Sequence, residues 1–429
     1  MTTDPANLPS TTHTDALIIG GGMAGGLMAL LLAEQGVAVR VLDGAPVPVC
    51  PAGAPALRVS TLSEASHWLL RHAGAWAHLD AARVQAYRYM RVWDQDGTGE
   101  VAFDAAELGA PALGWLLEND NLTAALYRAA AAHAHLDWRC DVAVTGVRRA
   151  DQGWQVLTDS EVLSADLVIG ADGARSLVRE AAGIPAAPRD SGHHALVATV
   201  ETDRPHGACA RQVFMESGPL ALLPLFSPPD GGQGHRCSIV WSAWPQRIEE
   251  LMALDDAAFG AALTQATGEA LGAARLVSRR AVFAIQERHA SSYIGPGLAL
   301  IGDAAHVIHP LAGQGINLGL LDAGVLAEEL VRARAAGLPL AHPGVLARYQ
   351  RRRRADNLVM QGAMRGFKTL FERRELPVRW LRNSGLDLVN RLPPARHAFM
   401  VRALGRAGDL PLLAGPLPLS NETVDRGGE

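Results

Sequence analysis

The chain of 429 residues is short of cysteine, nearly free of lysine, and has no long apolar run. Its four cysteines, Cys50, Cys140, Cys209 and Cys237, are scattered, and no two stand at CxxC spacing. That scatter argues against a disulfide framework or a zinc site and fits a reducing compartment. His306, His309 and the pair His193/His194 have no HxxxH or HxxE companion. Packing or capping is therefore expected of them, not metal ligation. No stretch of about eighteen apolar residues occurs, so nothing reads as a membrane span. Residues 1–14 are polar without a positive region, the pattern of a loose tail and not of a secretory signal. Lysine occurs once, at Lys368, among 39 basic residues, as arginine-favouring codon usage in a GC-rich genome would produce.

What is present is a core. Hydrophobic residues make up 48% of the chain, enough for two domains or one large domain with an insertion. The net charge of −5 gives no reason to expect a nucleic-acid partner. The charge is unevenly spread: residues 346–408 hold fifteen Arg or Lys against four Asp or Glu, a local balance of +11. Such a stretch suits a lipid surface, a partner, or an amphipathic helix with a solvated arginine face.

Three motifs carry chemistry. The apolar run Asp15-Ala16-Leu17-Ile18-Ile19 leads into Gly20-x-Gly22-x-x-Gly25. An Ala/Leu-rich helical segment follows, ended by Gly36, and then a β-branched strand closes on Asp43. This is one βαβ unit. Its glycines permit a tight turn, close approach of backbone to a pyrophosphate, and close helix–strand packing. Asp43 suits an adenosine ribose and argues against a 2′-phosphate, but it does not separate NAD from FAD. The second motif is Asp166-Leu167-Val168-Ile169-Gly170-Ala171-Asp172-Gly173-Ala174-Arg175-Ser176, a strand and tight turn that equally suits an Asx-type helix cap. In the third, strand Leu298-Ala299-Leu300-Ile301 ends on Gly302-Asp303-Ala304-Ala305-His306. Pro310-Leu311-Ala312-Gly313-Gln314-Gly315-Ile316-Asn317 then opens the next helix. A carboxylate there can hold polyol hydroxyls, and the loop offers backbone N–H groups at a positive helix end. Between the second and third motifs, alternating runs at residues 195–200 and 237–241 predict antiparallel strands. Beyond Pro343 the chain reads as helical, amphipathic and basic.

The three motifs, in this order and spacing, resemble those of the group A flavoprotein aromatic hydroxylases. The nearer likeness is to the 2-polyprenylphenol hydroxylases of ubiquinone biosynthesis, carried also by Leu57-Arg58-Val59-Ser60, Val92-Trp93-Asp94 and Leu113-Gly114-Trp115-Leu116-Leu117-Glu118-Asn119. Further matches are His194-Ala195-Leu196-Val197-Ala198-Thr199, Arg211-Gln212-Val213-Phe214 and Ile308-His309-Pro310-Leu311-Ala312-Gly313-Gln314-Gly315. Within that branch the chain is most similar to the ring carbon-5 hydroxylase, although Phe103-Asp104-Ala105-Ala106-Glu107-Leu108 resembles the member acting on carbon 6. The likeness departs at Ala284-Ile285 and Ser191-Gly192, both toward the substrate side.

The resemblance implies an α/β fold. A Rossmann-like FAD-binding domain (15–75, 112–185, 285–345) would carry an inserted antiparallel-sheet substrate domain (76–111, 186–284) and a helical C-terminal region (346–429). It implies non-covalent FAD, with NADH or NADPH as a transient reductant that has no Rossmann domain of its own. Gly20, Gly22 and Gly25 would face the pyrophosphate and Asp43 the ribose, with Arg58 and Asn119 along the cofactor. Asp172 would serve FAD and transient nicotinamide contact, and Asp303 the ribityl chain. Pro310, Gly313, Gln314, Gly315 and Asn317 would surround the flavin ring edge. Substrates would be a polyprenylated phenol and O2, joined through a flavin C4a-hydroperoxide, and no catalytic base is assigned. The expected location is cytoplasmic, at the inner face of the membrane, through either lipid contact or a ubiquinone-synthesis complex. A flavin-dependent prenyl reductase and a non-catalytic subunit of such a complex share the fold and remain open at this point.

Overall fold

The computed structural model describes residues 12–53, 55–95, 97, 99–151, 153–226, 234–308, 315–372, 375 and 390–416. The first strand, Thr12–Ile19, runs parallel to Val39–Leu42, with Leu17 opposite Arg40 and Ile18 opposite Val41. Between them lies the helix Met23–Ala33, in which every residue from Gly25 to Ala33 is buried. Its Ala and Leu residues have no polar face to offer, so it is sealed between the sheet and other helices. Gly36, at φ +68, turns the chain out of it.

This unit nucleates an eight-stranded sheet. Across its main path the order is Ile294–Gly295, Leu298–Leu300, Val162–Gly170, Thr12–Ile19, Val39–Leu42 and Leu136–Arg139. The strands from Leu298–Leu300 to Leu136–Arg139 are mutually parallel. Val144–Arg149 and Trp154–Thr158 branch from Val162–Gly170 as an antiparallel pair. All three motifs therefore leave the carboxyl ends of neighbouring parallel strands, where ligands bind in open α/β sheets.

A second sheet of nine strands is antiparallel except where Cys209–Met215 runs parallel to Tyr89–Asp94. The expected strands at 195–200 and 237–241 lie within Arg189–Thr202 and Arg236–Ala243, paired with Val200 opposite Cys237. Leu196, Val200, Ile239 and Trp241 are buried from this sheet against Ile248, Phe259 and Leu263 of two covering helices, Pro245–Ala253 and Asp256–Ala266. A small antiparallel sheet of Val59–Leu62, Gly114–Glu118 and Val84–Tyr87 lies between chain segments that feed the two large sheets.

The helix expected to begin near Ile316 spans Gly315–Ala335 and packs against Met23–Ala33. Their approach is close because the residues are small. A Cβ added at Gly319 would stand 3.1 Å from the Gly302 Cα and 3.5 Å from the Ala24 Cβ. The first and third motifs thus meet at Ala24, Gly302 and Gly319. The basic segment forms the helix Pro343–Glu372, packed along Gly315–Ala335. Among the described residues no helix is long and apolar enough to cross a membrane.

Candidate cofactor site

The glycines of the first motif meet different constraints. Gly20 has φ +100 and donates its N–H to the Leu42 carbonyl at 2.8 Å. A Cβ there would sit 2.4 Å from the Ala171 carbonyl oxygen, and one at Gly25 would sit 2.0 Å from that of Gly20. Both positions exclude a side chain for reasons internal to the fold. Gly22 is the reverse: a Cβ there would meet nothing within 4 Å. It opens the helix Met23–Ala33 with no side-chain cap, leaving first-turn N–H groups facing an open cradle of the kind a pyrophosphate fills. Asp43 ties this turn down, its Oδ2 accepting from Gly21 N and its Oδ1 from Ala45 N, both at 3.0 Å. Each carboxylate oxygen keeps further acceptor capacity for a ribose hydroxyl.

Asp172, two residues beyond the strand Val162–Gly170, contributes to the helix cap that its sequence also suggested, beside the N-cap Ser176. Its Oδ2 accepts from Val178 N at 3.2 Å, at the start of the short helix Leu177–Ala181. Its Oδ1 is buried with no hydrogen-bond partner among the described residues, which leaves an acceptor for a ligand donor. The backbone beside it is fixed by Ala171 N donating to the Ile19 carbonyl at 2.8 Å.

In the third motif, Gly302 (φ +58) makes the turn and Asp303 follows at an exposed position. Burial by surrounding protein pushes the Asp303 carboxyl up, while His306 and Arg58 act in the opposite direction. Arg58 is thus near enough to Asp303 to act on its charge. The exposed Arg58 is anchored through its carbonyl, which accepts from Asn119 N at 3.0 Å. The Asn119 side chain accepts from Ser60 Oγ at 2.6 Å. Asn317 is buried, and its amide is engaged within the fold. Its Oδ1 accepts from Ser63 N at 2.8 Å and Ser66 Oγ at 2.7 Å, and its Nδ2 donates to the Thr61 carbonyl at 2.8 Å. The side chain is thus a staple between Gly315–Ala335 and the Val59–Leu62 strand. Pro310, Gly313, Gln314 and His309 lie outside the described residues.

Sequence reasoning missed three side chains here. Trp138 lies beneath the glycine turn: a Cβ at Gly21 or Gly26 would come within 2.6 Å or 2.7 Å of its ring. Arg179 is buried and joins the second motif to the third, donating to the Ala174 carbonyl at 2.9 Å and the Ala304 carbonyl at 2.8 Å. Asp322 is fully buried in the Gly315–Ala335 helix and bonded to both Gly302 and His306. A lone carboxylate within the apolar run Gly319-Leu320-Leu321-Asp322-Ala323-Gly324-Val325 was the available signal.

Several arginines of the helix Pro343–Glu372 are paired with carboxylates of the fold. Arg353 is fully buried against Asp322, and Arg352 reaches Glu328 and Glu329 at 3.0 Å and 2.9 Å. Arg348 pairs with the same Glu329 at 2.7 Å and Arg365 with Glu287 at 2.6 Å. The reason is on the opposing elements: Asp322, Glu328 and Glu329 line the helix it packs on, and Glu287 the adjacent strand.

An open glycine turn, an acidic strand end and a carboxylate turn, all on one edge of a parallel sheet with an antiparallel sheet attached, are the frame of a dinucleotide-dependent oxidoreductase. A family model described as "FAD binding domain" matches residues 13–361. The chain is 40% identical over 394 residues to the 3-demethoxyubiquinol 3-hydroxylase of Escherichia coli K12, covering 91% of this chain and 98% of that protein. It is 36% identical to the ubiquinone hydroxylase UbiL of Rhodospirillum rubrum, covering 97% and 94%. With the human mitochondrial ubiquinone biosynthesis monooxygenase COQ6 it shares 30% identity, covering 91% and 92%. Among solved structures it is similar in fold to the p-nitrophenol 4-monooxygenase PnpA of Pseudomonas putida (TM-score 0.72, 20% identity, 92% of this chain and 99% of that one). The chain belongs to the FAD-binding-domain family and, within it, to the ubiquinone-biosynthesis hydroxylases, which are FAD-dependent monooxygenases.

Proposed function

We propose that the protein hydroxylates the aromatic ring of a polyprenylated phenol on the route to ubiquinone, taking electrons from NADH or NADPH and oxygen from O2. One observation carries the reading furthest. His306–Val307, immediately after the Asp303 turn, pairs with Ala281–His289 at the rim of the nine-stranded sheet, His306 opposite His289. The Asp303 turn and the antiparallel sheet are thereby joined by backbone pairing, which supports a substrate site on that sheet beside the cofactor. Bound FAD supplies the activation of O2 that an aromatic ring cannot provide for itself.

In this reading the Gly20, Gly22 and Gly25 turn receives the pyrophosphate, Asp43 the ribose and Asp303 the ribityl hydroxyls. Arg58, Asn119 and Asp172 border the same cofactor, and residues 310–317 cover the ring edge through backbone N–H groups. Because the prenyl tail is apolar, the reaction takes place at the cytoplasmic face of the membrane, by lipid contact or within a synthesis complex.

The test is the quinone profile of a deletion strain. A precursor lacking one ring oxygen should accumulate, and its structure names the carbon, whether the 5-position the sequence favours or the 3-position of the E. coli relative. A normal ring with an altered tail would instead indicate prenyl reduction. Full complementation by an Asp303→Ala protein that holds no FAD would indicate a non-catalytic subunit.

A further inference from the structure

The strand and turn that carry Asp303 are gripped from behind at alternate residues. The Leu300 carbonyl accepts from Tyr349 Oη at 2.6 Å, and Gly302 N donates to Asp322 Oδ2 at 3.1 Å. The Ala304 carbonyl accepts from Arg179, and His306 Nε2 meets Asp322 Oδ2 at 2.5 Å. Asp322 is the hub. Its other oxygen accepts from Arg353 Nε at 2.9 Å and Asn357 Nδ2 at 3.1 Å, so all four acceptor sites are engaged. Arg353 Nη2 donates to Asn357 Oδ1 at 2.8 Å, and Asn357 also reaches Tyr293 Oη at 3.3 Å.

The helix Pro343–Glu372 supplies this grip through one stripe at i, i+4 spacing. Tyr349, Arg353, Asn357 and Gln361 all face inward and all are buried. A helix that only needed to pack would present apolar residues there. Burying a carboxylate and a guanidinium instead costs desolvation that their attraction does not reliably recover. What such a network supplies that leucines cannot is directional hold on a single geometry of the turn. Arg353 and Asn357 are each 0% exposed, so they act on a cofactor only through Asp322 and the turn.

We propose that Asp322, Arg353 and Asn357 are positioning residues of the flavin site, and that through them the C-terminal helix sets the affinity and reduction potential of an FAD it does not touch. The proposal rests on Asp303 holding the cofactor, so an Asp303→Ala protein is the control for that assignment.

The experiment uses the full-length protein as Arg353→Met and Asn357→Ala variants. FAD dissociation constants are read by fluorescence titration of the apoprotein, midpoint potentials by dye equilibration, and melting by circular dichroism. The expected result is FAD binding weakened about tenfold or more in Arg353→Met and severalfold in Asn357→Ala, with the potential displaced in the same rank order. A tenfold difference between the losses for oxidised and reduced FAD corresponds to about 30 mV for a two-electron couple. A lowered melting temperature with wild-type affinity and potential would mean that the network is only structural, and the proposal fails. If Arg353→Met does not fold, the milder Asn357→Ala decides by the same criteria. Unchanged variants beside a weakened Asp303→Ala overturn the proposal alone, whereas unchanged binding in all three overturns the Asp303 assignment as well.

Discussion

Gly22 and Gly25 belong to one motif, yet they are glycine for opposite reasons, and that separates cofactor binding from folding at single residues. Gly22→Ala places its methyl in the open cradle, meeting nothing within 4 Å of protein. The apoprotein should melt within a few degrees of wild type, the cost of an Ala at that cap being about 1 kcal/mol. FAD affinity should nevertheless fall at least tenfold, because the methyl occupies the approach to the pyrophosphate. Gly25→Ala forces a carbon to 2.0 Å from a carbonyl oxygen and should damage melting and binding together. Equal effects of the two substitutions would show the cradle to be misassigned. At Asp303, replacement by Ala removes an acceptor for buried hydroxyls, a loss of about 1–3 kcal/mol. FAD affinity should then drop roughly 5- to 150-fold, tenfold being 1.4 kcal/mol, and wild-type flavin occupancy would contradict it. These positions stood out in the sequence because a glycine turn and a strand-end carboxylate are local signatures. Trp138 and Arg179 were not, since what each touches is set by residues distant in sequence: Gly21 and Gly26 for one, Ala304 for the other.

At the level of elements, periodicity announced the helices and strands but not what their inner faces bind. The helix Pro343–Glu372 reads as basic and amphipathic, and its type follows from that pattern. That its arginines point inward depends on Asp322, Glu328 and Glu329 of a different helix. Glu329 shows the consequence. It is 1% exposed and meets Arg332, Arg348 and Arg352. Burial pushes its carboxyl up, but those arginines outweigh it and hold the group below its ordinary value. Burial likewise opposes, and His306 and Arg353 overcome it, in holding the Asp322 carboxyl at about 2. A depressed folded-state pKa contributes stability that is present above the unfolded carboxylate value and lost as pH falls through the folded one. Helix docking should therefore weaken between about pH 4 and pH 2. Two histidines act earlier. Burial, with Arg71 adding to it and Glu64 opposing, lowers His67 to about 4, and burial with His306 and nearby arginines does the same for His289. For a base held neutral, the unfolded chain takes up the proton first, so stability falls as pH drops from about 6.5 toward 4. Thermal melts across pH should show two successive losses. Glu329→Gln should cost about 1–3 kcal/mol at pH 7, as expected for charge-assisted hydrogen bonds, and the difference should shrink below pH 4. A deficit that stays constant down to pH 2 would show that the charge of Glu329 is not what holds the helix.

For the molecule as a whole, part of the uneven charge is complementary: six of the fifteen basic residues in 346–408 pair with carboxylates outside it. Arg348, Arg352, Arg353 and Arg365 reach carboxylates outside the basic stretch, and so do Arg396 with Glu107 and Arg406 with Glu64. The +11 of residues 346–408 therefore works in good part as the glue between the C-terminal region and an acidic remainder. It cannot be taken as a free cationic face. On the proposed lipid contact, Arg373, Arg374, Arg379 and Arg382, which lie outside the described residues, are the arginines to test. Each arginine near an anionic bilayer contributes about 1 kcal/mol, and salt screens it beyond ~8–10 Å. Neutralising all four should sharply reduce sedimentation with anionic liposomes, and raised salt should do the same to the wild type. Arg406→Gln gives the contrast. Its charge already faces Glu64 at 2.6 Å, so its loss should leave liposome binding nearly unchanged. FAD content should remain intact in both proteins, because the glycine cradle and the Asp303 turn lie on the parallel sheet. If the wild type fails to sediment even at low salt, lipid attraction is not what brings the enzyme to its substrate. A protein partner then becomes the better account of those four arginines.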